Sequence, residues 1–371
     1  MNIVIDALPI NHLSGRHVIS GHLRMLAKYQ GDRHQFYVLH HHNNRDLCCD
    51  LGPNFHWLEC PNFGENWPAR LWWQFTQLDS LLKKLKAELI ISTSGALVPG
   101  TQLPQIVIAQ NPWCYISRFH YSPADKLKAW LQRKGYRQAQ EKAQAMFYLS
   151  SYVAKLYEQD SGAKPQTGEI LYVGIDDATY LNAQTHYLDF AERPLEILTV
   201  SAMTPHKVIE EVVQLLAQLH QQGTPARLIL VGPWSSDGYR SKIMTLIEEL
   251  NLKAFVIITD KVSVGQLQEY YRRARVFCLL SRSESFGIPA VEAQAFGTPT
   301  VVADVCAPPE VAGPGGLIIT PGDLDHGVSC LQSLLTDQQI WQTYSAQALT
   351  NAERFRWSKV SQPLNQFLLN V

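Results

Sequence analysis

The sequence has no run approaching the ~18–20 consecutive apolar residues that a membrane-spanning helix needs. Its opening, Met1-Asn-Ile-Val-Ile-Asp6, has neither a basic segment nor an apolar stretch of signal-peptide length. The seven cysteines, at 48, 49, 60, 114, 278, 306 and 330, form an odd set without a Cys-x-x-Cys pair. Export to an oxidising compartment is therefore not expected, and Cys278 and Cys306, set in apolar runs, read as buried free thiols. There is no Gly-x-Gly-x-x-Gly, which leaves a nicotinamide-type site unsupported. Repeats of ~20–50 residues and low-complexity segments are also missing. A net charge of −1 excludes a whole-molecule polyanion binder, so no nucleic-acid partner is expected. These absences predict a soluble, cytoplasmic chain, with a position at the inner face of a membrane left open.

What remains is a globular composition, 46% hydrophobic and 18% charged over 371 residues, long enough for two domains. The halves differ in charge: residues 1–185 carry 18 Lys and Arg against 15 Asp and Glu, and residues 186–371 carry 14 against 18. Short β-branched runs alternate with helical patterns almost from end to end, the pattern of βαβ units and parallel sheets. Strands are expected near 3–6, 35–40, 55–59, 88–93, 105–109 and 146–150, then near 196–201, 227–231, 254–259, 276–280, 300–303 and 317–319. The principal helices expected are 70–86, 124–142, 205–222, 239–251, 264–273 and 289–296. Apolar patterning lapses at about 177–194, which places domains at 1–180 and 190–351. Residues 351–371 read as one amphipathic helix with no sheet left to cover, and so as a tail, 352–371, returning to the first domain.

The densest chemical signal is Ser281-Arg-Ser-Glu-Ser-Phe-Gly-Ile-Pro-Ala-Val-Glu-Ala-Gln-Ala-Phe-Gly297. A buried strand, a short loop and a helix opening near Pro289 aim backbone N–H groups at the carboxyl edge of the sheet, an anion site suited to a pyrophosphate. Glu292, a turn inside that helix, can accept two hydrogen bonds from a ribose diol. Glu284, in the loop, lies nearer the phosphates and the transferred sugar. A second site is Ser201-Ala-Met-Thr-Pro-His-Lys207. Thr204 reads as an N-cap and Pro205 as the first helical residue, which puts Lys207 in the first turn. A cation there opposes the helix dipole unless an anion sits before it.

These stretches resemble glycosyltransferase family 4, the retaining family with the GT-B fold. The E-x7-E motif stands as Glu284…Glu292, within "VFCLLSRSESFGIPAVEAQAFGTPTVVAD", followed by "PPEVAG" and "GLIITPGD". "LYVGID", "SSYVAKLY" and "ERFRWSKV" match as well. The resemblance implies two Rossmann-like domains facing a central cleft, the first for the acceptor and the second for the donor, with the tail crossing back. It implies a metal-independent, retaining transfer of a hexose to a saccharide or lipid-linked saccharide in polysaccharide biosynthesis, with no cofactor and no obligate protein partner. UDP-glucose is the expected donor and GDP-mannose the alternative; a nucleotide-sugar binder without turnover is the rival class. Glu284 and Lys207 would be catalytic. Gly15, Thr204, Lys261, Val262, Glu292 and the backbone of Ser285, Phe286, Gly287 and Ile288 would bind the donor, and Asn111 would be a polar contact on the acceptor side. The family usually has an Arg five residues before the Lys, where this chain has Ala202. Lys207 and helix N-termini, aided by Arg282 or His206, would then carry the leaving-group charge.

Other features read more plainly. His40-His41-His42 is expected in an exposed loop and Asp323-Leu324-Asp325 in an ordinary turn. Trp67, Trp72 and Trp73 are expected to pack as a helical stripe. The basic stretch Lys126–Lys142 is expected to be a solvated face rather than a lipid-phosphate site.

Overall fold

A computed structural model describes residues 1–63 and 66–371, Leu13 by its backbone alone. The chain divides into two compact units, Met1–Gly174 with Trp357–Val371, and Ile175–Arg356. The first contains β1 (Asn2–Asp6), β2 (Gln35–His40), β3 (Phe55–Glu59), β4 (Leu89–Ser92), β5 (Gln105–Ala109), β6 (Ala145–Tyr148) and β7 (Gly168–Ile170). They form one parallel sheet in the order β3-β2-β1-β4-β5-β6-β7. The second contains β8 (Glu196–Val200), β9 (Arg227–Val231), β10 (Val256–Thr259), β11 (Val276–Leu279), β12 (Thr300–Ala303) and β13 (Gly316–Ile319), ordered β10-β9-β8-β11-β12-β13. The central strands β5, β8, β11 and β12 are buried along their whole length, as strands covered by helices on both faces must be. Both orders are those of doubly wound folds, reversing once, between β1 and β4 and between β8 and β11.

In the first unit, side chains paired across a parallel sheet share a face. Val4 pairs with Ile90, and Ser92 with Val107. That face carries two adjoining cores, one with Leu78 and Leu82 and the other with Ala129, Tyr136 and Ala139. The connection from β3 to β4 and the helix Pro123–Lys142 therefore form one layer. The helix predicted at 70–86 is broken: α-helix Trp67–Trp73, a π turn Gln74–Leu78, then helix Asp79–Lys84. Trp73 packs in the core, against Phe63 at 5.8 Å, whereas Trp72 is 67% exposed, so the stripe is only partly a packing stripe.

The other face is covered by the helix Leu13–Gln30 and by the tail. The tail is not one helix. It breaks into Trp357–Val360 and Gln362–Leu369, with Pro363 in the first turn of the second. Trp357 is 1% exposed, and its indole lies against the bare backbones of Gly21 and Gly174. His17 and His22 flank it, with ring centroids 5.6 and 5.0 Å away. Residues 352–356 belong to the second unit, and so does a helix, Asp177–Thr185, in the segment where patterning lapsed; of that helix only Tyr180 and Ala183 are buried.

The His40-His41-His42 expectation is corrected. His40 and His41 are buried, and the His41 ring accepts the Asn43 N–H at 3.1 Å to open a short 3-10 helix. Asp323 caps the helix Leu324–Thr336, accepting the His326 N–H at 3.0 Å. Cys278 is buried but Cys306 is only half-buried, in a left-handed conformation with φ 61°. Among the described residues all seven cysteines are free, and no helix is long and apolar enough to cross a membrane.

Candidate donor site at the second sheet

The reversal between β8 and β11 opens a crevice beyond the carboxyl ends of those strands, where doubly wound sheets bind ligands. Two loops meet there. The first leaves β8 with Ala202 exposed and Met203 buried, its backbone bridged to Trp234. Pro205–Lys207 then makes a single 3-10 turn, Val208 adopts a left-handed conformation at φ 46°, and the helix Ile209–Gln221 begins beyond it. This corrects the helix predicted from 205. Lys207 precedes the helix instead of occupying its first turn. Thr204 makes no side-chain cap, and its hydroxyl lies 3.0 Å from Nδ1 of His206.

The second loop leaves β11. Arg282 donates its backbone N–H to the His206 carbonyl at 2.8 Å, and the Ser281 hydroxyl donates to the carbonyl of Ser283 at 3.1 Å. The Lys207 ammonium is ion-paired with Glu284, their side chains 13% and 17% exposed. Beside it Arg282 is ion-paired with Glu211, at the start of the helix Ile209–Gln221. Two half-buried pairs thus cross-link the loops. Gly287 follows at φ 93°, a left-handed turn that a side chain would strain. The helix Ile288–Ala295 then opens with Pro289 in its first turn. Phe286 points into the core, edge-on to Phe355 at 5.6 Å, which leaves its backbone as the part able to meet a ligand.

Glu292, one turn inside that helix, accepts the phenolic O–H of Tyr271 at 2.7 Å. Burial holds the Tyr271 phenol well above its ordinary pKa, and the neighbouring Glu292 carboxylate acts in the same direction. Tyr271 is thus a fixed donor that orients the carboxylate. Lys261 is exposed and Val262 half-buried, in the turn after β10 that ends at the capping residue Ser263.

The structure therefore gathers Thr204, Lys207, Glu284, Glu292 and the 285–288 backbone at two neighbouring loops and one helix N-terminus. Lys261 and Val262 lie at the carboxyl end of an edge strand of the same sheet. Gly15 and Asn111 belong to the other unit. Gly15 sits inside the first turn of the helix Leu13–Gln30, not in a loop. An added Cβ there would come no nearer than 3.5 Å to a neighbour, so space does not demand glycine. The Asn111 side-chain oxygen accepts the Trp113 N–H at 2.9 Å, which occupies one of its polar atoms in the turn. Sequence reasoning missed Tyr271 and Glu211, whose partners lie 21 and 71 residues away. Among the described residues no group of three or more His, Cys, Asp or Glu converges as a metal-ligand set.

Residues 185–354 match the family model described as "Glycosyl transferases group 1". A D-inositol 3-phosphate glycosyltransferase of Rhodococcus erythropolis is 28% identical over 221 residues, 57% of this chain and 50% of the relative. An O-antigen chain mannosyltransferase B of Escherichia coli is 30% identical over 177 residues, 46% of this chain and 45% of the relative. The matches span about half the length of these curated relatives. Among solved structures, Anabaena HepE in complex with UDP-glucose superposes with a TM-score of 0.73 at 18% identity, covering all of both chains. Residues 185–354 are thus similar to the group 1 glycosyl transferases, and over its whole length the chain has the GT-B fold.

Proposed function

We propose that this chain is a retaining, metal-independent glycosyltransferase that moves a hexose from a nucleotide-sugar, UDP-glucose first, onto a saccharide or lipid-linked saccharide in polysaccharide biosynthesis. The observation that carries the reading is the Lys207–Glu284 pair at the strand-order reversal, together with a carboxylate, Glu292, one turn inside the helix that follows and aimed by Tyr271. When a diphosphate enters, Lys207 exchanges Glu284 for phosphate oxygens, and the N–H groups at the start of the helix Ile288–Ala295 add fixed positive charge. Glu284, released, accepts hydroxyls of the donor sugar, and Glu292 accepts the ribose diol. With Ala202 exposed and uncharged, Lys207 is the principal side-chain cation. The acceptor hydroxyl attacks on the face that the diphosphate leaves, and a phosphate oxygen takes its proton. The glucose donor is supported by HepE, solved with UDP-glucose. The similarity to a mannosyltransferase makes GDP-mannose the second donor to try.

The test is release of nucleoside diphosphate from a panel of nucleotide-sugars, with EDTA present, paired with calorimetric titration of each donor. Slow hydrolysis of one donor, lost in Lys207→Ala and in Glu284→Ala by at least ~100-fold, is expected. Binding without release, even with saccharide acceptors added, would favour a binder lacking turnover. Failure to bind any donor would remove the proposal.

A further inference from the structure

The segment before β8, where the apolar patterning lapses, ends in an arginine that is only 1% exposed. Asp189 opens a single 3-10 turn, Phe190–Glu192, and Arg193 follows it into the core of the second unit. Its Nε donates to the Leu188 carbonyl at 2.9 Å. One terminal nitrogen donates to the Ala274 carbonyl at 2.7 Å and to the Thr298 hydroxyl at 2.6 Å, and the other to the Phe296 carbonyl at 2.6 Å. The guanidinium also lies over Trp341 and Tyr187, 5.0 and 5.6 Å from the ring centroids. Among the described residues no carboxylate is ion-paired with it. Burial lowers its pKa to about 10, which leaves it charged at neutral pH.

The carbonyls that take this charge stand at the carboxyl ends of two helices. Ala274 ends Val264–Arg273, which carries Tyr271, and Phe296 ends Ile288–Ala295, which carries Glu292. Helix ends of this kind hold partial negative charge, so they offset the cation where a carboxylate does not. The Thr298 hydroxyl, which accepts from Arg193, donates in turn to the Tyr271 carbonyl at 2.7 Å. The Tyr271 and Phe296 rings stack between the same two helices, 6.2 Å apart and 19° from parallel. An apolar side chain could fill this space, but a planar fork of donors also fixes the separation of the two ends. We infer that Arg193 is a positioning residue for ribose recognition: it sets the helix of Tyr271 against the helix of Glu292, and through them the aim of that carboxylate. The inference rests on the proposed donor site, in which Glu292 accepts the ribose diol.

The test is calorimetric titration of the full chain with UDP and with 2′-deoxy-UDP, or with GDP and 2′-deoxy-GDP if GDP-mannose proves to be the donor. The deoxy nucleotide keeps the base and the diphosphate and lacks one hydroxyl of the diol. A hydrogen bond to a carboxylate predicts that the parent prefers the ribose form by about 10–100-fold. Arg193→Lys supplies a point charge that cannot span both helix ends. It is expected to cut that preference about fivefold, with the deoxy form bound within ~2-fold of the parent. Thr298→Val removes only the relay to Tyr271 and should lower the preference by about twofold or more. Because Arg193 acts through Tyr271, Arg193→Lys combined with Tyr271→Phe should lower it no further than either change alone. Should Arg193→Lys fail to fold, Thr298→Val, singly and with Tyr271→Phe, carries the same test. Both nucleotides weakened equally, as a purely structural role predicts, or additive losses in the double variant, would overturn the inference alone. A parent that binds both nucleotides alike would overturn the ribose role of Glu292, and the inference with it.

Discussion

Glu292 and its tether show how much of the site one residue can decide. A carboxylate that accepts the Tyr271 phenol is already oriented before a ligand arrives. Glu292→Gln keeps a partner for Tyr271 but loses the charge and one pair of acceptor sites. A hydrogen bond to a charged group contributes about 1.5–3 kcal/mol, so nucleoside diphosphate affinity should fall roughly 10–100-fold. Tyr271→Phe removes only the aim and should cost roughly fivefold. Calorimetric titration of both variants with the nucleotide of the active donor measures this. Wild-type affinity in Glu292→Gln would place the ribose elsewhere. The two glutamates were legible because loop and helix positions follow from the strand ending at Leu279 and the proline at 289. Tyr271 was not, because it sits on a different helix and nothing in its local spacing marks it.

Elements were read well where their periodicity was strong, and misread where a single residue changes the backbone. The strands of both sheets follow from their β-branched runs, except β7, a three-residue edge strand starting on Gly168 whose residues are largely exposed. The helix expected from Pro205 starts at Ile209 because Val208 turns left-handed, which no propensity favours in a β-branched residue. That turn is what sets Lys207 beside Glu284. The tail likewise breaks before Pro363, and its anchor is one indole against two glycines. An alanine Cβ at position 21 would fall 2.0 Å from Trp357, and at 174 it would fall 2.5 Å away. Gly→Ala inside a helix ordinarily stabilises by roughly 1 kcal/mol. Here Gly21→Ala should instead destabilise by about 1–3 kcal/mol, because the indole must move. Trp357→Ala should cost about 3–5 kcal/mol. The double variant should recover part of the Gly21→Ala loss, since the clash is then gone. Urea unfolding of the three variants measures this, and a stabilised Gly21→Ala would mean that the tail is not held by this contact.

At the scale of the molecule, the two units share a sheet order at their centres but not their titratable cores. Nine of the thirteen histidines lie in the first 185 residues, and three of them, His22, His34 and His41, are held below their ordinary pKa chiefly by burial. His22 is pushed furthest, to about 3: desolvation outweighs a contact with the Tyr172 backbone, and nearby His17 adds to the lowering. A histidine neutral in the folded state and protonated in the unfolded one contributes stability above pH ~6.5, lost as the pH falls toward its folded pKa. For His22, 2% exposed, the loss approaches about 1.4 kcal/mol per pH unit below 6.5. The second unit carries the other four histidines, at 186, 206, 220 and 326. Its shifted carboxylates, Glu210 and Glu269, are lowered and titrate below this window. In the first unit Asp6, raised by burial despite Arg70, works the other way, since protonation relieves its desolvation. Three histidines against one carboxylate leave the first unit the acid-sensitive one. Calorimetric unfolding at pH 7.5 and 5.5 should therefore show one transition moving down while the other holds. His22→Leu, which keeps bulk beside Trp357 without the titration, should reduce that movement. Equal displacement of both transitions, or a His22→Leu protein as acid-sensitive as its parent, would mean that the buried histidines do not set the pH response.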